Sequence, residues 1–322
     1  MILDGETAFA STLRNRHRKF PDRTDDRFDA GGVLFPACNP GFGIEKGASV
    51  FTIGSCFARN VERVLVAAGV NVPTAAFSAP ESEAPGQPNR VLNQYNPGTM
   101  LQCVTGAGDV PDRRGLYDVG GAVVDCLLAT GSRAVDPARA MARRAEISTL
   151  YAEGLAASST VVVTLGLIEV WYDRDDALFL NEAPPRAIIR ACPGRFEMRR
   201  LEGADCEALV SELVERLCDG GRRNIVLTVS PVPLQVTFTG GDAVVANAYS
   251  KSVLRAAAGR IADAHPNVDY FPSYEIVTSA GLQAFGDDNV HVRPALVEQV
   301  IDHMLGAYMP AAAESEGQPS AA

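Results

Sequence analysis

Three short runs of apolar, β-branched residues constrain this chain most: Val50-Phe-Thr-Ile53, Thr160-Val-Val-Val-Thr-Leu165 and Asn224-Ile-Val-Leu-Thr-Val229. The second is continuous, and such a run suits a parallel strand buried on both faces. The third reads the same way. Two of the runs end at a glycine, Gly54 and Gly166, and the third at Ser230-Pro-Val-Pro233. Segments of helical periodicity lie between them. Strands alternating with helices predict an α/β fold whose parallel sheet is covered on both faces. Ligands of such sheets bind at the carboxyl edge of the strands. Polar or reactive residues follow the strands there: Ser55 and Cys56, Glu169 and Trp171, Ser230, and Ser273 and Glu275.

The first run belongs to Ser49–Asn60, SVFTIGSCFARN. Strand, glycine, nucleophile and helix follow in that order, which is how many α/β hydrolytic enzymes present a reactive side chain. The tight turn exposes the side chain, and the N–H groups opening the next helix point at it. A helix N-terminus also favours a thiolate, so a lowered Cys56 thiol is expected.

Taken in order, residues 1–48 read as an irregular segment that wraps over the domain, and residues 49–309 as one α/β domain. Helix one is expected over about Ala58–Ala68, stopped by Gly69. Five prolines between residues 73 and 98 mark a long loop leading into Asn93-Gln-Tyr-Asn-Pro97. Asn93, Tyr95 and Asn96 there either serve the site or form a turn begun by Asn-Pro. Gly120-Gly121 between two β-rich runs predicts a hairpin within 115–135. Asp136-Pro137 opens a helix to Ala157. Residues 172–200 read as a second excursion, with short strands near Ala177–Leu180 and Phe196–Leu201. Helices are expected over Asp205–Asp219, Asp242–Ala264 and Pro294–Tyr308, and a strand over Val268–Phe271. In the Asp242–Ala264 helix, Val245, Tyr249, Val253, Ala256 and Ile261 are expected to share the packed face. The tail, residues 310–322, reads as disordered.

Composition narrows the function. The net charge of −10 leaves no basic stripe for phosphates, so no nucleic-acid partner is expected. The opening MILDGETAFA does not read as a signal peptide, and no apolar run reaches membrane-spanning length, so no membrane partner is expected. Seven cysteines without a CxxC pair suggest neither disulfides nor a metal site. They read as reduced thiols of a cytoplasmic protein. No cofactor motif is found.

Of the four histidines, His291 stands out. It sits in Gly286-Asp-Asp-Asn-Val-His-Val-Arg-Pro294, with Asp288 three residues ahead. A carboxylate at that spacing in a tight loop can accept the Nδ1–H and leave Nε2 free as a base. His265 reads as a helix cap, and His303 as a surface or packing residue.

The turn Gly54-Ser-Cys-Phe-Ala58 resembles the name-giving motif of the GSCFA-domain family, a branch of the SGNH/GDSL hydrolase superfamily. Asn93-Gln-Tyr-Asn-Pro97, Thr164-Leu-Gly-Leu-Ile-Glu-Val-Trp171, Thr228-Val-Ser-Pro-Val-Pro233, Asn247-Ala-Tyr-Ser-Lys-Ser-Val-Leu-Arg255, Tyr270-Phe-Pro-Ser-Tyr-Glu275 and Asp288-Asn-Val-His291 resemble it in the same order. The resemblance covers about residues 35–305 and implies a flavodoxin-like, three-layer α/β/α fold with hairpin excursions. By the superfamily pattern, Cys56 falls on the catalytic serine, with Ser55 the rival nucleophile. His291 and Asp288 fall on the base loop, and Gly54 on the glycine of the turn. Gly166-Leu-Ile-Glu169 falls on the GxND block, which puts Ile168 where an oxyanion-binding asparagine is usual. Asn93, Asn96 and the Cys56 N–H are the candidates to replace it. Gly166, Glu169 and Trp171 are expected to line or support the pocket.

The resemblance and the residues together imply acyl transfer through a covalent acyl-enzyme. Cys56 attacks an ester or thioester, His291 moves the proton and Asp288 orients the imidazole. Water as acceptor makes an esterase, and a carbohydrate or small-molecule hydroxyl makes an acyltransferase. The alternative is a non-catalytic binding protein on a hydrolase scaffold, which the missing oxyanion asparagine suggests.

Overall fold

The computed structural model describes residues 2–84 and 86–309. The expected disorder of 310–322 lies outside the described residues. Helix α1 (Gly5–Arg14) is followed by strand β1 (Val50–Gly54), then α2 (Cys56–Ala67) and α3 (Pro97–Thr105). Next come β2 (Leu116–Val119), β3 (Ala122–Asp125), β4 (Ala134–Val135), α4 (Pro137–Ala157) and β5 (Thr160–Leu165). The excursion after β5 contains β6 (Glu169–Asp173), β7 (Leu178–Leu180), α5 (Arg186–Ala191) and β8 (Phe196–Arg200). The chain continues through α6 (Gly203–Cys218), β9 (Asn224–Val229), α7 (Ala243–Ala264), β10 (Val268–Tyr270), α8 (Ser273–Ser279) and α9 (Pro294–Tyr308).

The buried runs pair side by side in a parallel sheet of order β1-β5-β9-β10. On the free side of β1, Asn71 bridges Ser49 and Asn93 bridges Gly54, both in parallel. These two bridges occupy the position of a fifth strand, so the order corresponds to 2-1-3-4-5 with the second strand reduced to two contacts. They cover the two ends of the free edge of β1. The order reverses between β1 and β5, and a ligand site is expected beyond the carboxyl ends of those two strands.

Side chains alternate across the sheet as the pleat requires. Val161, Val163 and Leu165 pack with Ile147, Tyr151 and Leu155 of α4, Val210, Leu213 and Leu217 of α6, and Leu254, Ala258 and Ile261 of α7. Val162 and Val226 face the opposite way, onto Phe57, Val61 and Leu65 of α2, Ile276 and Val277 of α8, and Val297, Val300 and Ile301 of α9. The protein is therefore a three-layer α/β/α structure. Two antiparallel sheets, β2-β3-β4 and β7-β6-β8, are its excursions. No helix among the described residues is long and apolar enough to cross a membrane.

Four local expectations need correction. Residues 5–14 form a helix rather than irregular chain, because Asp4 caps it by accepting from the Thr7 N–H. That helix buries no residue, whereas Val33 and Ile44 farther along join the α9 side of the core. Helix α2 begins at Cys56, two residues earlier than its apolar periodicity suggested, because the backbone of Ser55 is extended and sits at the N-cap position. The second excursion begins at Glu169, whose segment pairs with both β7 and β8. In α7, Val245, Tyr249 and Ala256 are exposed, and the packed stripe is Ser250, Lys251, Leu254, Ala257, Ala258 and Ile261.

The proline-rich loop is pinned by buried charge. Arg139 and Arg143 of α4 reach Glu83 at 2.8 and 2.9 Å. Arg144 forks onto Asp125 through Nε and Nη2 at 2.9 and 2.7 Å. Glu62 of α2 accepts from Thr52, Thr74 and Asn89, and pairs with Arg59. Glu83→Ala leaves the fully buried guanidinium of Arg143 with only Asp125, at 3.6 Å, to face it. The expected loss in urea unfolding is ~3–5 kcal/mol, and replacing Glu83 and Arg143 together by methionine is expected to recover most of it.

Candidate active site

The turn after β1 can be built only on glycine. Gly54 has φ +145°, and a Cβ there would overlap both the side chain and the carbonyl of Thr164 on the paired strand. The same threonine accepts from the Ser55 N–H at 3.1 Å. Ser55 is 4% exposed, and its hydroxyl donates to Ser230 Oγ at 3.0 Å, just past the end of β9. Its side chain does not cap α2. The N–H groups of Cys56 and Phe57 are left to face the Cys56 sulfur. The Cys56 side chain is thus presented at the helix start, where β1 and β5 part, while Ser55 is tied into the sheet.

Electrostatics corrects the expectation of a lowered thiol. Burial pushes the Cys56 thiol up, and it outweighs Lys251, the two N–H groups and Arg90, which all act in the opposite direction. A helix start is worth a fraction of the desolvation of a buried anion.

Lys251, part of the Asn247–Arg255 motif, is 1% exposed, and its Nζ donates to the Gly166 carbonyl at 2.7 Å. Burial brings its ammonium down to about 7, with Cys56 acting to raise it. The signal lay in the heptad spacing: Lys251 is three residues before Leu254 and seven before Ala258, on the stripe that packs. Gly166 itself must be glycine, since a Cβ would strike the Tyr95 carbonyl. That carbonyl accepts from Leu167 N at 2.8 Å, which brings the proline-rich loop to the end of β5.

The two candidate asparagines separate. Asn96 is the N-cap of α3: its Oδ1 accepts from Thr99 N at 2.9 Å, and its Nδ2 donates to Leu180 O at 3.2 Å. Its amide is spent on structure, so the expectation that it binds an oxyanion is withdrawn. Asn93 is 2% exposed and sits beside Gly54 through the Gln94 N to Gly54 O bond of 2.8 Å. Its Oδ1 has no partner among the described residues, and its side chain lies by the Tyr95 hydroxyl. Asn181, which nothing in the sequence flagged, clamps this segment. Its Oδ1 accepts from Tyr95 N and its Nδ2 donates to Asn93 O, each at 2.8 Å.

Glu169 and Trp171 face one way on β6, and both hold the 231–242 loop. The Glu169 carboxylate accepts from the Thr237 hydroxyl and the Phe238 N–H, both at 2.7 Å. Trp171 meets the Phe238 ring edge-on at 5.2 Å. Ile168 is in the core, with its N–H donated to Ser250, and supplies no side-chain donor.

His291 Nδ1 donates to Asp288 Oδ2 at 2.5 Å, and Asp288 Oδ1 accepts from the N–H groups of Val290 and His291. These bonds, the imidazole's first, hold the Asp288 carboxyl well below its ordinary value. The loop is a preformed Asp–His pair. The imidazole is 72% exposed, however, and among the described residues no hydrogen bond joins it to Cys56 or Ser55. Apo structures often hold catalytic partners farther apart than the reacting complex does.

A doubly wound α/β sheet with a strand–Gly–Ser–Cys–helix turn at its switch point defines the class of protein. Residues 49–304 match the GSCFA family, so the chain belongs to the GSCFA family. No curated protein matches the sequence. Among solved structures, a carbohydrate esterase family 2 enzyme with a carbohydrate-binding domain, from Corynascus thermopiles (Myceliophthora fergusii), aligns at 14% identity and a TM-score of 0.27. The alignment covers 47% of this chain and 36% of that one.

Two measurements check the site. In denaturant unfolding, Asn96→Ala is expected to cost ~1–2 kcal/mol through the lost cap. The second uses pH. The unfolded chain keeps Lys251 protonated up to its ordinary 10.5, and the folded chain only to about 7. Between those values the unfolded state binds more protons, so this group adds stability as pH rises from 7 toward 10.5. Lys251→Met is therefore expected to be more stable than wild type at pH 6.5, by a margin that narrows by pH 9.5.

Proposed function

We propose that this protein is an acyl-ester hydrolase or acyltransferase that works through a covalent acyl-enzyme on Cys56. The observation that carries the reading is the division of labour in the turn. The Cys56 side chain stands at the start of α2 between the ends of β1 and β5, while the Ser55 hydroxyl is engaged by Ser230. Register and hydrogen bonding both favour the thiol as nucleophile.

In this mechanism Cys56 Sγ attacks the acyl carbon of an ester or thioester, and the carbonyl oxygen takes the negative charge. The backbone N–H groups opening α2 and the Asn93 amide are the donors for that charge. His291, oriented by Asp288, takes the thiol proton and passes it to the leaving group, then takes one from the accepting water or hydroxyl and returns it to the sulfur. Its exposed position suits an acceptor arriving from solvent, and a carbohydrate or small-molecule hydroxyl is the proposed class. A thioester intermediate keeps transfer potential, which favours the transferase over the hydrolase. Glu169 and Trp171 act one step away, by fixing the 231–242 loop beside the Ser230 corner.

One observation favours a binding protein on this scaffold instead: the imidazole makes no bond to the thiol. Intact-mass analysis with a panel of activated esters and acyl thioesters separates the two. The expected result is a single acyl adduct on Cys56, with Cys56→Ser losing several orders of magnitude in turnover. Ser55→Ala is expected to lose about tenfold to a hundredfold, for the ~1–3 kcal/mol of its bond to Ser230. An adduct on Ser55 with full turnover in Cys56→Ser reverses the assignment. No adduct on either residue leaves the binding reading.

A further inference from the structure

A lysine with no carboxylate beside it is costly to bury, and Lys251 is buried. Its Nζ makes one hydrogen bond, to Gly166 O, and no acidic side chain is paired with it among the described residues. The register of the sheet says what lies next to it. Gly54 is opposite Thr164, and two residues on from that matched pair come Cys56, which opens α2, and Gly166, just past the end of β5. An amine held on the Gly166 carbonyl is therefore held beside the start of α2. The titratable group that acts on Lys251 there is Cys56. Facing Cys56 in turn are Lys251 from α7, and Arg90 and Tyr95 from the proline-rich loop. No hydrogen bond joins His291 to Cys56 among the described residues.

We propose that Lys251 is the charge partner of Cys56, so that thiol and amine share one proton inside the fold. This rests on Cys56 being the reactive group of the site. The S–H bond of Cys56 breaks, the proton passes to the lone pair of the neutral Nζ, and a thiolate stands beside an ammonium. No electron is gained or lost, and the net charge of the pair is unchanged. The thiol–amine and thiolate–ammonium forms carry the same number of protons, so they coexist over the pH range between the two titrations. The ammonium supplies in the interior the counter-charge that the helix start alone does not. The bond to Gly166 O fixes where that charge sits, and Gly166 in turn is fixed by its contact with Tyr95.

The test is the pH profile of iodoacetamide alkylation at Cys56, resolved by residue with mass spectrometry on the full chain. Wild type is expected to show two steps, a lower one near pH 7 as the shared-proton state forms, and an upper one above pH 9. Lys251→Met and Lys251→Gln are expected to keep only the upper step and to react about tenfold more slowly at pH 8, equal to an upward shift of about one unit. His291→Ala is expected to keep both steps. Protection of Cys126 and Cys206, both fully buried, reports in the same spectra that each variant is folded. A one-step profile in wild type overturns the proposal without any variant. So does a lower step that survives in the Lys251 variants, or one that disappears in His291→Ala. A two-step, Lys251-dependent profile with no acyl adduct upholds the pair and removes only the acyl-transfer reading.

Discussion

The close approach of Gly54 to Thr164 is the constraint on which the rest of the site depends. A parallel pair of buried strands must part where the sheet order reverses, and the residues just beyond that point have no lateral partner. Thr164 fills the gap at Gly54, accepts the Ser55 N–H and turns the chain so that Cys56 begins a helix. A side chain at Gly54 would separate β1 from β5 and lose the turn, the helix start and the Gly166 corner together.

Around this turn the protein assembles a polar cluster from parts that arrive by different routes. Asn93 and Tyr95 come along the free edge of β1 at the end of a proline-rich loop, Ser230 from the end of β9, and Lys251 from α7. The loop keeps its place because buried ion pairs hold it at Glu83 and buried hydrogen bonds hold it at Asn89. Such pairs add little net stability over apolar packing, but removing one partner is costly, so the loop has one seat. The interior is polar enough to hold a lysine and dry enough to bring its ammonium down to about 7.

That dryness changes the chemistry expected of the thiol. A helix start and a nearby imidazole would make a thiolate in an exposed turn. Here burial outweighs the helix, the imidazole points into solvent with Asp288, and the compensating charge comes from Lys251. The division gives the site an internal lysine beside the buried thiol and an external Asp–His pair toward solvent.

The sequence by itself determined the elements that depend on short-range pattern. The buried runs of β1, β5 and β9, the Asp136 cap with Pro137, the Gly120-Gly121 hairpin and the Asp288–His291 spacing are all local, and each is found where pattern puts it. The GSCFA turn was legible for the same reason, because strand, glycine and helix start lie within a dozen residues. What needed the tertiary structure was every property that depends on a distant neighbour. Asn93 and Asn96 look alike in sequence, and only the carbonyl of Leu180 and the N–H of Thr99 show that one of them is spent. Ser55 and Cys56 are adjacent, and only Ser230, 175 residues on, separates their roles. Lys251 read as part of a helical motif until packing placed it at Gly166, because burial is a sum over elements that no single stretch of chain contains.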